Sequence, residues 1–188
     1  MRDLPVRTDE ELIAANRANG CQYSLDELLR RHLPKIRGLI LQMVLNDALA
    51  DDITQEVFLR VVRYLPSFDG RSRFTTWLYR IAMNTAHTHL ENTKRSRMTF
   101  VADPPDVPDA ASMGPDGRAM EGELQREIEV ALRNLSPKLR AAIVLTTLHH
   151  QDVGEAARIE ECSIPTMYWR VHAARKQLKK SLAKHLDP

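Results

Sequence analysis

Six of the ten aromatic residues fall between positions 58 and 79: Phe58, Tyr64, Phe68, Phe74, Trp77 and Tyr79. Arg60, Arg63, Arg71, Arg73 and Arg80 are interleaved with them. Aromatic faces stack on unpaired bases, and arginines track the phosphates of the same strand. Ordinary core packing is the other reading of each ring, because Phe58 and Trp77 sit at helical spacing from leucine or isoleucine. The polar loop Ser67-Phe68-Asp69-Gly70-Arg71-Ser72-Arg73 and the exposed edge of the helix after it are the candidates for base contact.

A second concentration of chemistry lies near the C-terminus. A short helix, a turn at Glu161-Cys162-Ser163 and a longer basic helix form a helix-turn-helix pattern, in which the start of the second helix enters a major groove. With Ile164 inward at about 100° per residue, Thr166, Trp169, Arg170, Ala173, Lys176 and Gln177 point away from the core. A guanidinium such as Arg170 can pair with a guanine through two bonds, and Thr166 suits a phosphate or a base edge. A solvated amphipathic helix explains the same lysines without DNA.

Catalysis finds little footing. The neighbours His149 and His150 point about 100° apart on a helix, which does not suit one metal ion, and His87 and His89 meet the same objection. No HExxH, GxSxG or P-loop pattern occurs. No enzyme and no cofactor is expected. Cys21 and Cys162 are too few for a thiolate zinc site. Each reads as a small core residue, with a redox sensor as the alternative at Cys162.

These residues need helices to position them. Thr8-Asp9-Glu10-Glu11 and Ser24-Leu25-Asp26-Glu27 have the form of capping boxes. Leu25, Leu28, Leu29, Leu33, Ile36, Leu39, Ile40 and Met43 then recur at three and four, with Pro34 as a candidate kink. Asp47 is the expected cap of a third helix carrying Leu49, Ile53, Val57 and Val61, which Pro66 ends. A fourth runs from about Ser72 to about Lys94, and a fifth from Ala119 to Arg133. Ser136-Pro137 opens a sixth with Leu139, Ile143, Leu145 and Leu148. Asp152 caps a short helix, Glu155 to Glu160. Ser163 caps the last, with Ile164, Met167, Tyr168, Val171, Leu178 and Leu182 expected inward. No stretch alternates as a strand does, so the expected class is all-α.

Residues 101–119 break the helical pattern with four prolines and two glycines, and they read as a flexible linker. The expected organisation is two small helical bundles, 1–100 and 120–188, on that tether. The net charge of +2 hides a division. Residues 1–100 carry 15 basic and 12 acidic side chains, residues 101–122 carry 1 and 5, and residues 123–188 carry 11 and 8. Two mildly basic blocks flank an acidic segment, which suits a polyanionic partner. No run approaches the ~20 apolar residues of a membrane span. The first residues lack the apolar stretch of a signal peptide, so a cytoplasmic protein is expected.

Ala50-Asp51-Asp52-Ile53-Thr54-Gln55-Glu56-Val57-Phe58, followed by Phe74-Thr75-Thr76-Trp77-Leu78-Tyr79-Arg80-Ile81-Ala82-Met83-Asn84, resembles the core-binding and promoter-melting segment of bacterial sigma factors. It looks most like their small extracytoplasmic-function (ECF) group. Leu135-Ser136-Pro137-Lys138-Leu139-Arg140 and Ser163 to Arg175 resemble that group's C-terminal domain, in the same order and after a linker.

The resemblance implies a division of roles. Asp51, Asp52, Gln55 and Glu56 would bind a coiled coil of the largest subunit of core RNA polymerase. Phe68, Arg71, Arg73, Phe74, Trp77, Arg80 and Asn84 would open and hold the −10 element. Thr166, Trp169, Arg170, Ala173, Lys176 and Gln177 would read the −35 element, and the C-terminal domain would also touch the polymerase flap. An anti-sigma factor is the implied regulator, clamping a compact state in which the acidic helix and the DNA-reading helix are both partly occluded.

Five positions depart from the family pattern, with Tyr168-Trp169 replacing the usual short basic-polar pair. Glu160 stands where an apolar residue is usual, Glu161 where glycine is usual, and Ala173 where arginine is frequent. Two carboxylates at a DNA-facing turn would repel phosphates. A sigma-like interaction protein without −35 reading, or a dimeric helix-turn-helix repressor, stays open as an alternative.

Overall fold

The computed structural model describes residues 7–99 and 119–183, so the proposed linker lies almost wholly outside the described residues. Among the described residues there is no strand. The N-terminal half holds α1 (Asp9–Asn19), α2 (Gln22–Val44), α3 (Asp47–Tyr64) with a 3₁₀ turn at Leu65–Ser67, and α4 (Phe74–Thr99). The C-terminal half holds α5 (Ala119–Arg133), α6 (Pro137–Ile143) continued by a π turn over Val144–Leu148, α7 (Val153–Ile159) and α8 (Ile164–Ser181). The class is all-α, as two helical bundles.

Local chemistry sets most boundaries. Thr8 caps α1 with the full reciprocal box: Glu11 N–H donates to the Thr8 hydroxyl, and Thr8 N–H donates to the Glu11 carboxylate. Gly20 ends that helix with a φ of 60°, a conformation glycine adopts without penalty. The Ser24 box does not form. α2 starts earlier, at Gln22, with Cys21 as its cap residue, and Ser24 is buried inside the first turn with its hydroxyl on Cys21 Sγ. Asn46, rather than Asp47, caps α3, its side chain accepting from Leu49 N–H at 2.8 Å. α2 runs through Pro34, which lies exposed, so the lost bond falls on the solvent side.

In the first bundle Ile36, Leu39, Ile40 and Met43 of α2 meet Ile53, Val57 and Val61 of α3 and Leu78, Ala82 and Met83 of α4, all fully buried. Each large side chain withdrawn from water contributes about 1.5–3 kcal/mol. The apolar cluster does not stop there. Ala141, Ala142, Val144, Leu145, Ala156, Ala157, Ile159, Met167 and Val171 of the second bundle belong to it. A smaller cluster of Leu132, Leu135, Leu139, Ile143 and Ala174 closes the far side, with Leu45 of the first bundle packed against it. The two halves therefore pack on one another.

Arg140 locks this junction. Buried on α6, it donates through Nε to the Leu132 carbonyl at 2.9 Å, through Nη1 to the Met43 carbonyl, and through Nη2 to the Arg133 carbonyl at 3.1 Å. It thus satisfies helix-end carbonyls of α5 and α2 that have no partner within their own helices.

Candidate nucleic-acid interface

The loop before α4 and the first turns of α4 place the aromatic and arginine set. Phe68 and Phe74 are buried, contrary to their expected role as base contacts. Their rings lie 5.9 Å apart, each within 6 Å of Trp77, and Phe74 also meets His32 edge-on at 5.3 Å. Four rings in one cluster fix the start of α4, and only Trp77 keeps a partly open face. Arg71 and Arg73 project into solvent, and Asn84 is exposed two turns further on. Asp69 shapes the loop by accepting from Arg71 N–H at 3.1 Å, beside Gly70 at a φ of 75°. An open cleft of about 640 Å³ lies between this loop and α7, with Arg71, Arg73 and Arg158 facing Glu10, Asp152 and Glu155.

Arg80 is engaged by the other half of the chain. Its Nη2 donates to the Arg158 carbonyl at 3.1 Å and its Nη1 lies 3.5 Å from Glu161. Thr76 donates to Glu155, and His87 Nε2 meets Glu160 at 3.0 Å. One turn along α4, the Tyr79 hydroxyl meets His149 Nδ1 at 3.2 Å while His149 Nε2 meets Gln42 Oε1 at 3.0 Å. An amide oxygen only accepts, so Nε2 carries the proton and neutral Nδ1 accepts from Tyr79. Burial, then the neighbouring His150 and Lys35, hold His149 below its ordinary pKa.

On α8, Ser163 caps the helix as expected, accepting from Thr166 N–H. The buried stripe is Met167, Val171 and Ala174. Thr166, Trp169, Lys176 and Gln177 face solvent, Trp169 at 65% exposure. Two expected outward residues do not. The Arg170 side chain is only 12% exposed and lies 3.4 Å from Glu160, and Ala173 is half-buried against the second cluster. Arg170 sits about 60° from the stripe centred on Met167 at 100° per residue, close enough to fold back onto the carboxylate. Conversely, Tyr168 points outward at 61% exposure, and Ile164, beside Gly154 of α7, stays half exposed. Glu160, expected at the DNA-facing turn, is 5% exposed and bound between His87 and Arg170. Glu161 takes a left-handed φ of 50°, the conformation for which glycine is suited.

The acidic first turns of α3 form a different kind of surface. Asp51 is paired with Arg37 at 2.6 Å, and Glu56 with Arg60 at 2.5 Å and His89 at 2.7 Å. The hydrogen bond from His89 and the charge of Arg60 hold the Glu56 carboxyl below its ordinary pKa. Asp52 and Gln55 stay exposed, and Leu59, at 72% exposure, and Val62 extend their stripe. In the chain by itself this stripe is open.

Comparison with known proteins fits both halves. Residues 28–96 match the family model for sigma-70 region 2 and residues 125–178 that for sigma-70 region 4. The ECF RNA polymerase sigma-E factor of Escherichia coli K12 is 30% identical over 178 residues, covering 91% of this chain and 92% of its own. The chain belongs to the ECF sigma factors of RNA polymerase. The RNA polymerase sigma factor CarQ of Myxococcus xanthus is likewise 30% identical, over 87% of this chain and 92% of its own. In solved structures, CnrH in complex with the cytosolic domain of CnrY is 25% identical with a TM-score of 0.67, over 94% of this chain and 99% of its own.

For this ECF sigma factor the sequence pointed to α3, α4 and α8 as candidate surfaces but gave no sign of what meets α4 and Arg170 from elsewhere in the chain. Arg140, His149, Thr76, His87 and Glu155 act between the halves, and each partner is more than 60 residues away in sequence. No local period announces such a pair. Among the described residues there is no metal-ligand cluster, and no helix is long and apolar enough to cross a membrane.

Proposed function

We propose that this ECF sigma factor, which directs promoter-specific initiation, divides the work among three surfaces. The open stripe of α3, with Asp52 and Gln55 flanked by Asp51 and Glu56, docks core RNA polymerase. Its acidic character suits electrostatic steering onto a basic partner. The loop with Arg71 and Arg73, together with Trp77, Arg80 and Asn84, holds the opened −10 strand. Phe68 and Phe74 support that surface from beneath. The face of α8 with Thr166, Trp169, Lys176 and Gln177 reads the −35 element, and Arg170 joins it when Glu160 lets go. Domains at 1–100 and 120–188 joined through 101–119 suit this, since a flexible chain of ~19 residues would span about 25 Å on average. The cytoplasm is the proposed site of action, with no chemical step of the chain's own. An anti-sigma factor is the proposed regulator.

The observation that carries this reading is the bare polar stripe Asp52–Gln55, with the exposed Leu59 beside it, on a helix whose inward face is fully packed. Asp52→Ala with Gln55→Ala should weaken binding to core polymerase about tenfold, roughly the loss of one or two charge-assisted contacts. Helicity should be unchanged. A fluorescence titration of labelled protein against core reads this, and an unchanged affinity would reject the surface. The tie between Arg170 and Glu160 favours one competing reading, a sigma-like protein that no longer reads a −35 element. Transcription from a promoter library by core plus this chain separates the two.

A further inference from the structure

Three carboxylates of the C-terminal half end on one stripe of α4. Glu155 accepts from Thr76, Glu161 faces Arg80, and Glu160 meets His87. At 100° and 1.5 Å per residue, Thr76, Arg80 and His87 fall within about 40° of arc and about 16 Å of helix axis. The Arg158 carbonyl adds a further acceptor at Arg80. A nucleic-acid backbone presents the same thing to a protein: a row of anionic oxygens met by guanidinium, hydroxyl and imidazole donors. Asn84 lies beside the stripe and remains exposed.

We infer that Glu155, Glu160 and Glu161 form an internal stand-in for a DNA strand, so that the C-terminal half and the promoter's single strand compete for one stripe of α4. The inference rests on the assignment of α4 as the strand-holding helix. The stand-in fits loosely at its central cation. Arg80 reaches Glu161 only at 3.5 Å, and among the described residues its buried Nε meets no acceptor. A phosphate can take two parallel N–H bonds from a guanidinium, so exchange fills a donor that the internal contact leaves empty. Glu160 also holds Arg170, a contact within the C-terminal half that parting the halves leaves in place. Opening therefore exposes the strand-holding stripe of α4 and leaves Arg170 tied.

Apparent affinity scales with the fraction of chains already open, so a variant that opens them binds tighter without a new contact. The probe is a labelled random-sequence single strand of about 20 nucleotides, read by anisotropy with the full chain. Glu160→Gln with Glu161→Gln should tighten binding about tenfold. Asp26→Asn with Asp47→Asn removes as much charge elsewhere and should change it less than about twofold. Arg80→Ala added to the first pair should return the affinity to the wild-type value or below. Glu161→Gly keeps the left-handed turn and should tighten binding even where the glutamine pair proves poorly folded by circular dichroism.

Equal gains from the two charge-matched pairs, or no gain from either change at Glu161, would overturn the stand-in. Holoenzyme transcription distinguishes this from failure of the sigma reading. If core polymerase plus wild-type chain transcribes while the affinities stay flat, only the stand-in falls; if it transcribes nothing, the assignment of α4 falls with it.

Discussion

The outer stripe of α3 and the stripe of α4 at Thr76, Arg80 and His87 are both polar faces of helices in the same bundle, yet they are treated oppositely. On α3, Asp52 and Gln55 are bare and Leu59 stands in water beside them. On α4, each donor of the stripe is met by an acidic side chain from the other half of the chain. An exposed apolar residue in line with the bare Asp52 and Gln55 suits a surface awaiting a partner, whereas a stripe of donors matched from within already has one. On the roles proposed for the two stripes, the difference orders events: the polymerase-docking surface is ready before the DNA-holding one.

Three measurements press on that contrast, and the largest effect belongs to Arg140. Arg140→Met keeps much of the volume but leaves the carbonyls of Arg133 and Met43 without their donor, while Leu132 keeps its bond from Leu135 N–H. Unsatisfied buried groups cost ~1–3 kcal/mol each, so a loss of about 3 kcal/mol or more is expected in urea denaturation. Scattering should show the halves parted while the affinity for core persists. Unaltered stability would mean that the junction is not held there.

A smaller effect concerns pH. The folded pKa of His149 is depressed by burial, so the unfolded chain takes up a proton first as pH falls through its ordinary value of 6.5. Stability from this group is complete above that value and is lost as pH falls toward the depressed one. Tyr79 and Gln42 bond the ring, and Lys35 and His150 add positive charge near it. The melting temperature should drop more between about pH 7.5 and about pH 5.5 for the wild type than for His149→Gln. The carboxylate-paired His32, His87 and His89 are common to both proteins and cancel in the difference. Parallel pH profiles would remove His149 from the junction.

The smallest stability effect is expected on the bare side. Leu59→Ala should change folding stability by no more than about 0.5 kcal/mol, while affinity for core falls. A clear destabilisation would show that the α3 stripe is covered in solution.

Features read correctly from sequence were mostly local. Thr8 with Glu11, Ser163 before Ile164, and the span Ala119–Arg133 stand where their side-chain chemistry and period place them. Ser24 misleads because a capping box and a buried mid-turn serine share one pattern, and only packing separates them. Asn46 and Asp47 are adjacent and equally able to cap, so the choice falls to backbone geometry. Phe68 and Phe74 satisfy a stacking pattern and a core pattern at once, and the core claims them. Glu160 and Glu161 are the sharpest case. Their departure from the family pattern was legible as a change near the DNA, but its meaning lies in His87 and Arg80, more than 70 residues upstream.

The ring cluster and the reading helix have one more consequence, a photophysical one. The chain holds two tryptophans, one in each half. Trp77 is wedged between Phe68 and Phe74, and Trp169 stands in solvent on the outward side of α8. Their indoles sit in unlike dielectrics and differ in access to a dissolved quencher. The native emission therefore carries one resolvable label for the proposed melting surface and another for the proposed reading surface, with no dye attached to either.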